Sequence, residues 1–89
     1  MSPQEFTFKL TVPNDPAGAD VVAMVAAHAV HYAGIEAAAG DAFVARVKAR
    51  ALTVLVGGAA THTQAQFVAA DGRLTVTLGG HTESELLPA

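Results

Sequence analysis

Four histidines are the side chains with the clearest potential for chemistry, because the sequence contains no cysteine and histidine is the commonest metal ligand. His28 and His31 are three residues apart in a helix-forming segment, so both could reach one metal ion, with His62 or His81 as a third ligand. Two histidines at this spacing on an alanine-rich helix more often form a polar edge. We therefore predict no metal and no cofactor, and we keep His28, His31 and His62 as metal-ligand candidates.

A short basic segment is the second group of interest. Arg46, Lys48 and Arg50 lie close together in the sequence and could contact an acidic protein surface, although such residues usually form only a solvent-exposed helix face. They are our candidates for an interaction site. The Gly57-Gly58 pair that follows is predicted to stop the helix, since phosphate groups bind at helix N-termini and not after C-termini.

Catalytic residues are not apparent. The aspartates Asp15, Asp41 and Asp71 stand where helix caps or turns account for them, so no carboxylate pair is left for acid–base work. No G-x-S-x-G or G-x-x-x-x-G-K-[ST] pattern occurs. We predict that the protein is not an enzyme.

Composition limits the class of partner. The 89 residues suffice for one domain, residues 1–89, and only 15% are charged, which is below the ~25% typical of soluble domains. We therefore expect a partner to cover apolar surface, and a homo-oligomer, in the first place a dimer, is the simplest choice. A net charge of −3 with five basic residues argues against nucleic acid. The absence of a signal-peptide pattern or a convincing apolar span predicts a cytoplasmic protein without membrane contact.

The elements that position these residues can be predicted from periodicity and turn signals. Residues 5–12 alternate as a half-buried strand, and Asp15-Pro16 should begin a helix that ends near Ala33 with Gly34 as its left-handed cap. Asp41 should cap a second helix, 42–56, and Asp71-Gly72 should close a hairpin within residues 61–80. The core is then about 5–80, with a tail at 81–89. This β-α-α-β-β order predicts a two-layer α+β domain, with a small antiparallel or mixed sheet and both helices on one face.

Faces of these elements follow from the same patterns. One face of the first helix carries Val21, Val25, His28, Ala29 and Tyr32, and the opposite side is mostly alanine, so this helix could pack on two sides. On the second helix the apolar stripe comprises Phe43, Val47, Ala51, Val54 and Leu55. The uncharged strand 61–70 is predicted to lie at the sheet edge, where it could pair with a second subunit.

The segment FKLTVPNDPAGADVVAMVAAHAVHYAGIE and the hairpin DGRLTVTL resemble the anti-sigma-factor serine-kinase branch of the histidine-kinase-like (GHKL) ATPases, over roughly residues 5–80. The resemblance implies a nucleotide site that this chain has lost. The family's base, a Glu, falls on Ala49 and its magnesium-binding Asn on Thr53. Its Asp-x-Gly-x-Gly box falls on Gly80, Thr82 and Ser84, and the nine residues after Gly80 leave no room for its glycine-rich lid.

Together these features predict a non-catalytic, regulatory protein-binding module of bacterial type, similar to an anti-sigma-factor domain without ATPase or kinase activity. The alternative is a protein that binds a small molecule or metal in a crevice between helix and sheet near His28, His31, Tyr32 and His62. The residues do not define the partner, the ligand, the symmetry of the oligomer or the pathway.

Overall fold

A computed structural model describes residues 5–56 and 61–87 of the chain. The elements follow the order β1 (Phe6–Pro13), α1 (Pro16–Tyr32), α2 (Ala37–Val56), β2 (His62–Ala70), β3 (Arg73–Leu78) and β4 (His81–Leu86). The strands form one antiparallel sheet in the order β1-β2-β3-β4. Helix α1 contacts β1 and β2, whereas α2 contacts β3 and β4. The predicted α+β class, with two helices and an antiparallel sheet, is confirmed, but the predicted β-α-α-β-β order is not fully matched because a fourth strand follows. Within the described residues, no helix is long and apolar enough to span a membrane.

Both ends of α1 form as the sequence predicts. The Asp15 side chain accepts a hydrogen bond from the Gly18 amide at 2.9 Å, and Pro16 occupies the first helical position. At the other end Gly34 has a φ of 77°. The Gly34 amide donates to the His31 carbonyl and the Ile35 amide donates to the Val30 carbonyl, each at 3.1 Å. This pair of bonds is the Schellman motif, which satisfies the last carbonyls of the helix.

Of the residues predicted to share one face of α1, only Ala29 is buried. Val21 and Val25 are only partly buried, and His28 and Tyr32 are exposed. The helix instead buries a face of mostly small residues, namely Gly18, Ala19, Val22, Ala26, Ala29 and Val30. Small side chains let α1 approach α2 and the sheet closely. This close packing outweighs the preference for burying Val21 and Val25 completely.

Helix α2 begins earlier than predicted. It starts at Ala37, so Asp41 is an exposed residue inside the helix and not its cap. Of the predicted stripe, Phe43, Val47, Ala51 and Leu55 are buried, and Val54 is partly buried against the core. The predicted stop at Gly57-Gly58 lies outside the described residues.

The hairpin of β2 and β3 forms around Asp71-Gly72 as predicted. Asp71 and Gly72 have φ values of 53° and 75°, as the two central residues of a type I′ turn require. The prediction that residues 61–70 form an edge strand is wrong, since β2 pairs with both β1 and β3. Its buried Phe67, with Ala65 and Ala69, forms the centre of the sheet's helix-facing side, so an uncharged sequence suits it.

The predicted tail is in fact a fourth strand. Gly79 and Gly80, with φ values of 55° and 85°, turn the chain into β4, which pairs with β3 from Arg73↔Leu86 to Leu78↔His81. Leu87 packs against the core. This strand was not predicted because its helix-facing positions hold His81, Glu83 and Glu85. A half-buried strand usually carries apolar residues at such positions.

Candidate binding site

A cavity lies between α1 and the outer half of β1, and we call it the α1–β1 groove. Its volume is about 500 Å³. It is lined by Phe6, Thr7, Phe8, Val25, His28, Ala29, His31 and Tyr32. In the described part of the chain β1 pairs with β2 alone, so one long side of the groove is the open edge of a strand.

Aromatic rings form the floor and one end of the groove. The Phe8 ring stacks on buried Phe67 with 4.8 Å between centroids, and the Phe6 ring meets Tyr32 edge-on at 5.4 Å. Phe8 nevertheless keeps 39% of its surface exposed, and Tyr32 keeps 61%. Aromatic contacts of this kind fix the orientation of the rings.

The groove opens because α1 covers β1 unevenly. At the far end of the strand Val12 is 1% exposed, whereas Phe8 retains much of its surface. Asn14 holds the covered end through two hydrogen bonds. Its backbone N–H donates to the Thr61 carbonyl at 2.9 Å, and its side-chain Oδ1 accepts from Thr63 Oγ1 at 2.7 Å. These bonds fix the start of α1 beside β2, and the helix leaves the Phe6 end of β1 less covered.

The histidine candidates are only partly brought together. His28 and His31 line the groove, and both are exposed. His62 pairs with Pro13, at the opposite end of β1 from Phe6. At ~3.3 Å per residue, Pro13 lies roughly 23 Å along the strand from Phe6. Among residues 5–56 and 61–87 no group of three or more His, Cys, Asp or Glu side chains could hold a metal ion.

The basic candidates do not form one patch. Arg46 contacts Glu83 at 3.5 Å and Glu85 at 3.2 Å, and Arg50 contacts Glu83 at 3.1 Å. Lys48 lies on the α1 side of the helix, with Nζ 3.3 Å from Asp20. The arginines therefore attach α2 to β4. Glu83 and Glu85 were not predicted as partners of the arginines. The spacing was nevertheless a signal, because arginines four apart share a helix face and glutamates two apart share a strand face.

The structure also places the residues that align with the nucleotide motifs of the histidine-kinase-like ATPases. Thr53 Oγ1 donates to the Ala49 carbonyl at 3.1 Å, so this hydroxyl is used within α2. Both residues border a shallow depression of about 360 Å³ beside Arg46, Arg50 and Glu83. Gly80 lies in the β3–β4 turn.

The other two motif positions are in β4, at Thr82 and Ser84. They pair with Thr77 and Thr75. By strand alternation with Glu83 they lie on the face of the sheet that the helices do not cover. Ala49 and Thr53 are thus on a different side of the sheet from Thr82 and Ser84, so these four side chains do not line one pocket.

Comparison of this chain with known protein families, with curated proteins and with solved structures found no match. The resemblance to the histidine-kinase-like ATPases therefore stays a prediction.

Proposed function

We propose that this protein is a non-catalytic protein-binding module of a bacterial regulatory pathway. Its binding surface is the α1–β1 groove together with the open edge of β1. The observation that supports this proposal is the cluster of exposed aromatic surface at Phe8 and Tyr32 beside an open strand edge. Exposed apolar patches mark interaction sites, aromatic residues are enriched in interfaces, and extended peptides can add to a strand edge.

A test of this surface is selection of peptides displayed on phage against the immobilised protein. Selected peptides should bind the Phe8→Thr variant at least about tenfold more weakly, since a ring that forms the groove floor is removed. Leu86→Thr is the matched control, because Leu86 is also an exposed apolar strand residue, 63% exposed, but lies on β4. Peptides that bind both variants and the unchanged protein equally would contradict the proposal.

The regulatory part of the proposal derives from the resemblance to anti-sigma-factor domains. Ala49 and Thr53 in place of a base and a metal-binding amide support the absence of ATPase and kinase activity. Calorimetric titration with Mg–ATP should show no saturable heat. Saturable binding together with phosphate release would refute this part and leave the groove unaffected.

A small apolar molecule is the second candidate occupant, favoured by the size of the groove. Its volume of about 500 Å³ falls in the range of ~300–1,000 Å³ typical of ligand pockets. His28, His31 and Tyr32 border it and could orient polar atoms of a ligand. Binding to the native state would raise the melting temperature, so a thermal-shift screen with fatty acids and aromatic metabolites distinguishes this candidate from a peptide binder.

A further inference from the structure

We infer that a second copy of this chain binds the open edge of β1, in an antiparallel pair of β1 strands centred on Thr7 that joins two sheets into one. This inference rests on the proposed function, because it names a partner for the same surface. Three features of the described residues support it: the contrast between the two sheet edges, the charge pattern of β1 and the exposed aromatic face.

The two edges of the sheet differ in how they are protected against strand pairing. On β4, Glu83 and Glu85 point towards α2 and are held there by Arg46 and Arg50. Inward-pointing charges are a common device that blocks pairing at an edge, because a second strand would bring more charge to the same place. The β1 edge lacks this device, since its helix-facing side is apolar from Phe6 to Val12.

Charge pattern selects one register for a β1–β1 pair. Side chains alternate along a strand, so the two copies must pair residues that share a face. When Thr7 lies on the twofold axis, Glu5 is opposite Lys9 of the partner subunit, and the reciprocal pair forms as well. A pair centred on Lys9 would instead place two lysines opposite each other, which destabilises the pair. A pair centred on Phe8 would place Glu5 opposite Thr11 and Lys9 opposite Thr7, so neither charged residue would meet an opposite charge. Only the register centred on Thr7 places Glu5 and Lys9 each opposite a residue of opposite charge.

The same register matches the apolar face. Phe6 comes opposite Phe8 of the partner subunit, and Phe8 opposite the partner's Phe6, so the row of rings that begins at buried Phe67 continues across the axis. Aromatic cross-strand pairs are among the more stabilising pairs in sheets. The exposed 39% of Phe8 and 61% of Tyr32 would be covered by the second copy. A closed twofold dimer also removes the open β1 edge from further association.

Sedimentation velocity and light scattering, combined with charge reversal at Glu5 and Lys9, test this inference. Both side chains are exposed, so their replacement leaves the core intact. The unchanged protein should be a dimer at about 100 µM and dissociate on dilution. Lys9→Glu and Glu5→Lys each turn two attractive pairs into two repulsive ones and should raise the dimer Kd by about tenfold or more at low salt.

The double variant Glu5→Lys/Lys9→Glu is the matched control, because it keeps the net charge at −3 and restores opposite charges in the Thr7 register. It should dimerise as the unchanged protein does. An equimolar mixture of the two single variants should form a heterodimer, since one carries two lysines and the other two glutamates at these positions.

A monomer at 100 µM, or a dimer that is insensitive to both single reversals, would overturn the inference. Recovery in the double variant together with heterodimer formation would establish it. Neither measurement uses a peptide ligand. The two failures are therefore distinguishable: absence of the dimer contradicts this choice of partner, whereas failure of peptide selection contradicts the groove as a peptide-binding surface.

Discussion

Replacement of Gly40 by alanine tests the close packing of α1 on α2. In an exposed helix this change would stabilise the protein by about 1 kcal/mol, because glycine has a poor helix propensity. Here a β-carbon at position 40 would overlap Val30 Cγ1, a side chain with only 7% of its surface exposed. Valine in a helix has one strongly preferred rotamer, so Val30 cannot easily turn away. We expect the steric effect to exceed the gain in propensity.

The magnitude follows from two opposing contributions. Overpacking of a core by one carbon costs about 1–3 kcal/mol, and the propensity gain of about 1 kcal/mol offsets part of it. Gly40→Ala should thus lower the free energy of unfolding by about 1 kcal/mol, which corresponds to a melting temperature lower by about 4–8 °C for a domain of this size. In a Val30→Ala background the obstructing methyl is absent, and the same change should stabilise by up to about 1 kcal/mol.

Urea unfolding followed by circular dichroism on the four members of this cycle measures the coupling between the two positions. The expected coupling is about 2 kcal/mol, with midpoints that shift while the slopes stay constant. If Gly40→Ala stabilised the protein equally in both backgrounds, residues 30 and 40 would not be in contact. The close approach of the helices, and with it our account of the buried face of α1, would then be wrong.

Substitutions at Asp15, Gly80 and Glu83 probe features that position the groove and protect the other edge. Asp15→Ala should destabilise by about 1 kcal/mol through loss of the helix cap, whereas Asp15→Asn should cost less, as thermal unfolding would show. Gly80→Ala should destabilise by about 1–2 kcal/mol because its φ of 85° disfavours side chains, and Gly80→Asn should be better tolerated. Glu83→Gln should cost about 1 kcal/mol against about 0.3 for Asp20→Asn, since Glu83 is 19% exposed and Asp20 is 65% exposed; equal losses would contradict a structural role for the Glu83 pairs.

Most local signals in the sequence predicted local structure correctly, with the expected cap at Asp41, which lies inside α2, as an exception. Asp15-Pro16, Gly34 and Asp71-Gly72 each specify a backbone conformation through their own chemistry, and each forms as expected. The α+β class and the helix pair on one face followed from these boundaries and from apolar periodicity. Such signals depend on a few neighbouring residues, so tertiary structure rarely overrides them.

Predictions that depend on tertiary structure were less successful. Strand β4 was missed because Glu83 and Glu85 point towards a helix, a position that makes sense only beside Arg46 and Arg50. The place of β2 in the sheet was wrong, since strand order depends on which neighbours a strand finds and not on its own composition. Of the predicted crevice, His28, His31 and Tyr32 do line the groove, and His62 does not.

The groove and the tight helix packing have a common origin in the alanines of α1. Because Ala26 and Ala29 face the core, the helix lies close to its neighbours and contributes little apolar area of its own. Its larger side chains, among them Met24 and Tyr32, are then left at the surface. A helix that buried these large residues would stand further from the sheet and cover Phe8. The close helix packing and the exposed aromatic edge are therefore two results of one arrangement, and they support the proposal that a partner covers this surface.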